Sequence, residues 1–538
     1  MSRSALSKPL QQAYADGLLE QSTLFDYGCG RGDDLRTLAA LGIEARGWDP
    51  SHFPDSDKLR AGVVNLGYVV NVIEDRAERD DALRSAWVLA ESVLVVSARL
   101  IWDPDSTSGK PFGDGRLTAN GTFQKYYSPE ELKGWVESVL GHTAITASPG
   151  IVYVFRDPGA AQRLLARHSR ETNRPRRGIA ELLYDQHRLL LAPIETFVGE
   201  HRRLPSATDI GDPNSVVELF GSIRGAFNLI RQSTDPQLWS DVDTGTRKKS
   251  TQIFEEHLED LQPLIDFVTD RGRLPRAGEI SNQEALVEIF GSPRAAFSLI
   301  RRVTGPGQWE ELEAEARQNF LVYAALSAFG GRPKFGDLPR DLQHDAKDLF
   351  GSYANACAEA DRLLHSIADS DAIDAACNEA ATGKLTPEAL YIHVNYVSDL
   401  PPLLRVYEGA ARTISGNVDD ATLVKINRIK PQVSFLVYPE FDSDPHPALQ
   451  ASLVAKLGEV RLKHRYFGDS ENPPILHRKD TFVAASYPGF SKFVRLTRQE
   501  EKAGLLDRSD IGHRRSWADA LEAAGYSLRG HQLRKASC

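Results

Sequence analysis

The chain has little cysteine: only four cysteines occur in 538 residues, and no two of them have the CxxC spacing. That scarcity excludes a disulfide scaffold and gives no sequence motif for a zinc site. Long apolar runs are lacking too, because no segment reaches the roughly 18 consecutive apolar residues of a membrane-spanning helix. The N-terminal MSRSALSKPLQQAYADG also has no apolar stretch of a secretory signal. We therefore expect a cytoplasmic protein with reduced thiols and no membrane partner.

What is present is typical of a folded protein. Hydrophobic residues make up 41% and charged residues 26% of the chain, and its length suits three or four domains. The net charge is −10, yet the stretch from Lys425 to the end holds 19 Lys and Arg against 13 Asp and Glu. This asymmetry favours a polyanionic partner for the C-terminal part, although ordinary solvated surface would give the same balance.

A glycine-rich turn near the N-terminus is the first chemical motif. Residues 23–27 are predicted to form a strand, GCGRG at 28–32 a turn, and the stretch from Asp33 a helix. Residues 43–48 form a second predicted strand, which Asp49 follows. Glycines let a ligand approach the backbone, and the helix N-terminus offers free N–H groups. Asp49 follows Asp26 by 23 residues and is placed to accept from a ribose hydroxyl pair. Asp33 and Asp34 would repel a pyrophosphate, so the turn suits a ligand with an amino group or without phosphate.

The run FDYGCGRGDD at 25–34 resembles motif I of the class I S-adenosylmethionine-dependent methyltransferases, in which an acid stands two residues before G-x-G. The resemblance implies an α/β, Rossmann-like domain over residues 1–158 and S-adenosyl-L-methionine as cofactor. It also implies that Asp26 lies near the methionine amino group, that Gly28 and Gly30 let the backbone pass the cofactor, and that Asp49 holds the ribose. A βα turn with no ligand is the alternative. The expected cofactor-binding residues are Asp26, Gly28, Cys29, Gly30, Asp49, Asn65, Leu66 and Gly67.

The segment NLGYVVNVIED at 65–75 follows the next predicted strand. In such methyltransferases a segment of this kind lines the cofactor and substrate pocket. The catalytic candidates are therefore Asn71, Glu74, Asp75 and Tyr126. The alternatives are that the first three cap the following helix and that the FQKYY patch at 123–127 packs as an aromatic cluster.

The end of this domain follows the same pattern with one departure. Only 15 residues separate Asp49 from Asn65, which is too few for a helix and a third strand, so 51–61 is expected to be a loop. In SPEEL, Ser128 is predicted to cap a helix with Glu131 reaching back. Strands at 143–147 and 151–156 are expected to close the sheet as an antiparallel hairpin.

The methyl acceptor is not encoded in a recognisable motif. Amino-methylating DNA enzymes carry Pro-Pro and an aromatic residue where this chain has NLGY, and cytosine-C5 enzymes need a Pro-Cys nucleophile that is absent. ENPPILH at 471–477 has Ile475 in place of the aromatic residue and is interpreted as a turn.

The middle of the chain is duplicated. Residues 193–239 align with 263–309 at an offset of 70, with 22 of 47 positions identical, and a degenerate third copy begins near 330. Each copy is predicted to hold an RLP turn and an FGS turn between helices. The pattern resembles helical repeats associated with homing endonucleases, which implies a helix-turn-helix plan and DNA contacts. The arginines expected to make them are Arg203, Arg224, Arg231, Arg273, Arg294 and Arg301, although the repeats are not strongly basic and helical spacers or a protein-docking surface remain the alternative.

The C-terminal part completes the resemblance. KPQVSFLVYPEFDSDPHPAL, ENPPILHRK and LTRQEEKAGLL, together with the N-terminal motifs, resemble a bacterial methyltransferase family associated with DNA phosphorothioation, over roughly 1–158 and 390–507. The predicted organisation is a methyltransferase-like domain at 1–158, a helical linker at 159–190, three helical repeats at 191–242, 243–312 and 313–370, and a basic α+β domain at 384–538.

The resemblance implies an S-adenosylmethionine-dependent transferase of a DNA-modification defence system, with DNA and proteins of such a system as partners. A non-catalytic DNA-binding regulator or assembly factor on a relic methyltransferase fold is the alternative. A small-molecule or protein methyltransferase is a third, weaker one. C-terminal side chains that could bind a phosphate or the acceptor are His446, His464, His477, Arg478 and Lys479, and no metal site is predicted.

Overall fold

The structure is a computed structural model that describes residues 6–170, 184, 187–239, 242 and 249–535. It divides into two compact units. The first contains the described residues up to His168, the segment Ala325–Pro333, and the described residues from Arg362 onward. The second contains the described parts of Ser169–Ala324 together with Lys334–Asp361. Most of the expected linker beyond Arg170, and Cys538, lie outside the described residues.

The N-terminal part of the first unit is an α/β domain. Its strands are β1 Leu24–Tyr27, β2 Ala45–Trp48, β3 Ala61–Gly67, β4 Ala90–Ser97, β5 Lys110–Phe112, β6 Gly115–Leu117, β7 Phe123–Gln124, β8 Ala144–Ser148 and β9 Ile151–Phe155. Its helices are α1 Lys8–Ala15, α2 Asp33–Ala40, α3 Arg76–Leu89, α4 Pro129–Leu140 and α5 Pro158–Arg170. Strands β5, β6 and β7 form a small separate sheet.

The main sheet has the strand order β2-β1-β3-β4-β9-β8. Strands β1 to β4 are parallel, and β9 is antiparallel to both of its neighbours. Buried apolar runs in β3 and β4 put core on both faces, as a parallel sheet covered by helices requires. The N-terminal domain is thus an α/β fold with a mostly parallel sheet, as expected for residues 1–158. Of the expected loop 51–61, residues 51–60 contain neither helix nor strand and Ala61 already begins β3; β2 is the edge strand.

Helix α4 begins as predicted, with one correction. Ser128 Oγ accepts from the Glu131 amide at 3.1 Å, which caps the helix. Glu131 does not reach back to complete a capping box. Its carboxylate accepts from Lys125 Nζ at 2.7 Å, because a buried ammonium needs a carboxylate partner more than an exposed backbone N–H does.

The second unit is helical. Its helices are α6 Arg188–His201, α7 Pro213–Phe220, α8 Ile223–Ser233, α9 Lys249–Glu256, α10 Leu258–Arg271, α11 Gln283–Phe290, α12 Pro293–Thr304, α13 Gly307–Leu326, α14 Arg340–Phe350 and α15 Tyr353–Ser366. The last two residues of α13, and α15 from Arg362 onward, belong to the first unit. Helices α6, α7 and α8 recur as α10, α11 and α12 at the offset of 70.

Side-chain contacts repeat with the helices. Trp239 Nε1 donates to Thr234 at 2.7 Å, and Trp309 Nε1 donates to Thr304 at 2.9 Å. The serine of each FGS turn caps the helix that follows it. The duplication therefore preserves a packed unit and not only a pattern of letters.

The C-terminal part of the first unit is built on a second sheet. Its strands are β10 Lys384–Leu385, β11 Ala389–His393, β12 Leu423–Asn427, β13 Gln432–Val437, β14 Ala451–Lys456 and β15 Arg461–Tyr466, all antiparallel and in chain order. Its helices are α16 Ser370–Glu379, α17 Pro402–Ser415, α18 Phe490–Lys502 and α19 Arg514–Ala523, and β16 Tyr526–Leu528 pairs with β17 Leu533–Lys535. Helix α17 packs on this sheet and against β8.

Direct contacts join this part to the N-terminal domain. The Asn417 amide donates to the Ala147 carbonyl at 2.8 Å, and the Leu462 amide donates to Glu130 at 3.0 Å. None of the helices in the described ranges combines the length and the apolar character needed to cross a bilayer.

Candidate functional site

The glycine turn lies where β1 and β2 end. The amides of Gly28 and Cys29 donate to the Trp48 carbonyl at 2.7 and 3.1 Å, which holds the turn against the end of β2. Gly28 has φ +90° and Gly30 has φ +53°, a region that favours glycine. A Cβ at Gly28 would lie 2.3 Å from Val69 Cγ2, so this position also needs glycine for space.

Asp49 directly follows β2 and faces this turn. Its Oδ2 accepts from the Gly30 amide at 3.0 Å, and its Oδ1 accepts from the Ser51 and His52 amides at 2.9 Å each. These hydrogen bonds, together with one from the His52 ring, lower the pKa of Asp49 despite its desolvation. The carboxylate is thus held ionised, with 14% of the side chain exposed. Carboxylate oxygens have more than one lone pair, so further donors can be accepted.

Asp26 and Asn65 lie side by side on β1 and β3. Asn65 Nδ2 donates to Asp26 Oδ1 at 2.8 Å, and both side chains are buried. Burial raises the pKa of Asp26 to about 7, with smaller contributions from the charges of Asp34 and Asp49. Asn65 Oδ1 is buried and receives no donor from the described residues.

Three acids therefore surround the turn: Asp26, Asp34 and Asp49. Asp34 accepts from the Ser7 amide at 2.7 Å, so its position is also fixed. Their mutual repulsion disfavours a bound anion and favours a cationic ligand. The prediction that the turn does not take a pyrophosphate has the same physical basis.

The other expected cofactor residues are Leu66, Gly67 and Cys29. Leu66 is fully buried in the core, and Gly67 ends β3. Cys29 is buried within the turn. Burial raises its pKa to about 12, with further contributions from Asp26 and Asp49, so it is a neutral thiol and not a nucleophile.

The catalytic candidates occupy different environments. Asn71 is buried, its amide donating to the Lys125 carbonyl and its oxygen accepting from the Arg99 amide at 2.9 Å. Asp75 caps α3 by accepting from the Ala77 and Glu78 amides. Glu74 is exposed, and Tyr126 is half-buried. Asn71 and Asp75 thus already have structural partners.

Two residues near the strand ends, Tyr68 and Lys58, were not predicted from the sequence. Tyr68, directly after β3, has φ +58°, a left-handed conformation that is uncommon for an aromatic residue and marks stored strain. Lys58 Nζ donates to the Tyr27 hydroxyl at 3.1 Å and lies 3.7 Å from the centroid of a Trp48 ring. Positive φ and long-range stacking leave no local sequence signal, so neither could have been found from the pattern.

The repeat arginines divide by burial. Arg203 and Arg294 are exposed, and Arg224, Arg231 and Arg301 are half-buried. Arg301 donates to Glu310 at 2.9 Å, and Arg231 lies 3.9 Å from Glu255. Arg273 is buried, with its guanidinium held by Glu279 and Asp345 at 2.6–2.8 Å.

The C-terminal candidates divide into two groups: His446 and His477 lie side by side, with ring centroids 4.5 Å apart, and the other three have separate partners. His464 stacks on Trp102 with ring centroids 5.4 Å apart, and Arg478 pairs with Glu501. Lys479 is buried and donates to the carbonyls of Phe441 and Asp444 at 2.6 Å. Helix α18 lines a groove of about 520 Å³ in which the charged side chains are Arg495, Arg498 and Lys502.

Comparisons with known proteins give only remote likeness. No protein-family model and no curated protein matches the chain. The CcbJ methyltransferase from Streptomyces caelestis is 15% identical, covers 27% of this chain and 87% of its own, and has a TM-score of 0.22. CalS10, an amino pentose methyltransferase from Micromonospora echinaspora, is 16% identical, covers 28% and 92%, and has a TM-score of 0.21. At these TM-scores the function has to follow from the residues themselves.

Proposed function

We propose that the chain is an S-adenosylmethionine-dependent methyltransferase that acts on or at DNA in a modification system of the phosphorothioation type. The observation that carries the transferase part is the group of three acids around the glycine turn. S-adenosylmethionine has an ammonium and a sulfonium charge and no phosphate. A negative field at a parallel-strand end therefore suits it better than a dinucleotide.

The residues present fit such a cofactor. Asp26 is a buried acid that would gain an ammonium partner, and Asn65 Oδ1 is a buried acceptor that would gain a donor. Asp49 presents an ionised carboxylate to a ribose at the end of β2. Gly30 leaves the backbone open to close approach, because no heavy atom lies within 4 Å of its Cβ position, whereas Val69 fills that space at Gly28.

The chemistry supplied by the bound cofactor is an electrophilic methyl group on a sulfonium. This chain's contribution is alignment, because an in-line displacement needs the acceptor held close and on axis. The segment Tyr68–Asp75 and Tyr126 lie in the loops after β3 and before α4, from which the acceptor would be oriented. Glu74, exposed on this segment, is the proposed base if the acceptor carries a proton.

The DNA part of the proposal rests on exposed positive charge. Arg203 lies in the RLP turn of the first repeat and Arg294 at the start of α12 in the second, and both are exposed and can meet a phosphate. Helix α18 adds Arg495, Arg498 and Lys502 on its groove side, within the basic C-terminal part. Proteins of the same modification system are proposed as further partners.

The cofactor site is tested by titration calorimetry with S-adenosylmethionine. Asp49→Asn keeps an oxygen for the Ser51 and His52 amides but removes the ionised carboxylate, so it should weaken binding at least about 10-fold, since charged hydrogen bonds contribute about 1.5–3 kcal/mol. Asp55→Asn, exposed on the same loop, is the matched control and should bind as the wild type. Wild-type protein that does not bind at millimolar cofactor would overturn the proposal.

The acceptor is tested with tritium-labelled cofactor on plain and phosphorothioated duplex DNA. Transfer that depends on Asp49 supports the enzyme and identifies the preferred backbone. Cofactor binding and DNA binding without transfer to either duplex would favour the non-catalytic regulator instead.

A further inference from the structure

Two histidines and a glutamate from distant parts of the chain meet inside the C-terminal part of the first unit. His446 lies between β13 and β14, His477 lies in the segment after β15, and Glu500 lies in α18. One ligand atom from each lies within 4.8 Å of the other two. His446 and Glu500 are almost fully buried, with exposed fractions of 5% and 1%.

The backbone fixes which nitrogen of each ring carries a proton. His446 Nδ1 lies 3.2 Å from the Leu476 carbonyl oxygen, and His477 Nε2 lies 2.9 Å from the Ile511 carbonyl oxygen. A carbonyl only accepts, so each of these nitrogens must donate an N–H. In the neutral rings, the lone pairs are then on His446 Nε2 and His477 Nδ1.

This leaves acceptors facing one another. His446 Nε2 lies 2.7 Å from Glu500 Oε1, and both atoms are acceptors when the ring is neutral and the carboxyl group carries no proton. His477 Nδ1 is buried and receives no donor from the described residues. An extra proton on His446 would satisfy the first contact but not the second. A divalent cation would satisfy both.

The surroundings match the outer shell of a metal site. Histidine ligands ordinarily donate their second N–H to a carbonyl or carboxylate, as both rings do here. The Trp517 ring packs against both imidazoles, with centroids 4.6 and 4.7 Å away, and limits the access of water. Lys479, the buried cation nearby, directs its hydrogen bonds to Phe441, Asp444 and His531 and not to the three ligands.

We propose that His446 Nε2, His477 Nδ1 and the Glu500 carboxylate bind a zinc ion, with water as a fourth ligand. Two imidazoles and one carboxylate form a donor set that zinc takes in proteins at about 2.0–2.2 Å. A tetrahedral site needs ligand atoms about 3.3 Å apart, so Glu500 would move away from His446, and the remaining pairs, which lie within 4.8 Å, would close by up to about 1.5 Å. The ion would join the loop after β13, the segment before Lys479 and helix α18, which are otherwise far apart in sequence.

The experiment uses the untagged full chain, expressed with zinc and desalted, and measures bound metal by mass spectrometry. Wild-type protein should retain about one zinc per chain. Glu500→Gln keeps the shape and a hydrogen-bond partner for His446, and His477→Gln keeps the polarity; both should lose more than about 100-fold in zinc affinity. His513→Gln, an exposed histidine at the start of α19, is the matched control and should retain the metal.

A second readout does not depend on the variants folding normally. A chelator should lower the melting temperature of the wild-type protein, and added zinc should restore it, because a ligand that binds only the folded state stabilises it. Wild-type protein that holds no zinc after loading would overturn the proposal. Folded Glu500→Gln and His477→Gln proteins that retain zinc as the wild type does would overturn the assignment of the ligands.

Discussion

Asn65 Nδ2 donates to Asp26 Oδ1 at 2.8 Å between the neighbouring strands β3 and β1, in the fully buried layer below the glycine turn. The hydrogen bond fixes the carboxyl group but does not offset its desolvation, so the pKa of Asp26 is raised to about 7. The site thus keeps an acid that is half-protonated near neutral pH and that a cationic ligand would ionise.

The first prediction concerns stability against pH. Because the folded pKa of Asp26 is above its ordinary value, the folded state binds the proton more tightly, and stability falls as pH rises from about 4 to about 7. Asp26→Asn removes this loss while keeping the acceptor for Asn65. The variant should match the wild type near pH 4 and exceed it at pH 8 by on the order of 2–4 kcal/mol. Urea unfolding at both pH values measures this, and an equal difference at both would contradict it.

The second prediction concerns the affinity for the cofactor. Binding an ammonium group requires the Asp26 carboxylate, so affinity should rise between about pH 5.5 and 7 and binding should release a proton. A free α-amino group has a pKa of about 7.7–8.0, which keeps the ligand cationic over that range. Calorimetry in buffers of different ionisation enthalpy measures the proton. Asp26→Asn should bind more weakly and without this pH dependence; a flat wild-type profile would show that Asp26 does not meet the amino group.

The third prediction separates the effect of a steric clash from the effect of a left-handed backbone conformation at the glycine turn. Gly30→Ala has no heavy atom within 4 Å of its Cβ, so it should lose only the about 1–2 kcal/mol of a left-handed non-glycine residue. Gly28→Ala also clashes with Val69 and should lose a further 1–3 kcal/mol or so. Adding Val69→Ala should recover part of the loss in Gly28→Ala and none in Gly30→Ala. Thermal unfolding measures all four proteins, and equal losses for the two glycines would contradict the clash.

Local order along the N-terminal domain could be predicted from the sequence. The glycine turn, the helix at Asp33 and the hairpin at β8 and β9 follow from patterns a few residues long. The absence of a further helix and strand between β2 and β3 followed from the 15 residues between Asp49 and Asn65. What a side chain meets across the fold did not follow. Glu131 binds Lys125 and not its own helix end, because a buried cation from another segment competes for it.

The C-terminal histidines make the same point for the candidate sites. His446, His477 and Glu500 have no metal-ligand spacing, since the antiparallel sheet and α18 bring them together only in three dimensions. Likewise, Arg203 and Arg273 are identical in the aligned repeats, yet one is exposed and the other buried. In the first repeat Asp209 aligns with Glu279 but lies 3.9 Å from Arg203, and the further buried partner of Arg273 is Asp345 of α14 at 2.6 Å.

The fourth prediction concerns DNA. Arg203→Ala and Arg294→Ala remove exposed charges and should each weaken binding to any duplex, reducing the slope of log K against log salt by about 0.9 per lost phosphate contact. Fluorescence anisotropy from about 50 to 200 mM salt measures the slope. Unchanged affinity and slope in both variants would show that DNA does not bind at these two arginines. The next test would then be Arg495→Ala with Arg498→Ala on α18.

The last prediction uses the duplicated arginines as a matched pair for stability. Arg273→Ala would remove the buried guanidinium that Glu279 and Asp345 share, at a cost of about 1–3 kcal/mol, because Asp345 keeps Arg271 and Glu279 keeps His344 as partners. Arg203→Ala, at the aligned exposed position, should change stability by no more than about 0.5 kcal/mol. Thermal unfolding compares the two variants with the wild type. If Arg273→Ala were as stable as Arg203→Ala and lost DNA affinity instead, Arg273 would be a DNA contact and not an internal tie between a repeat and α14.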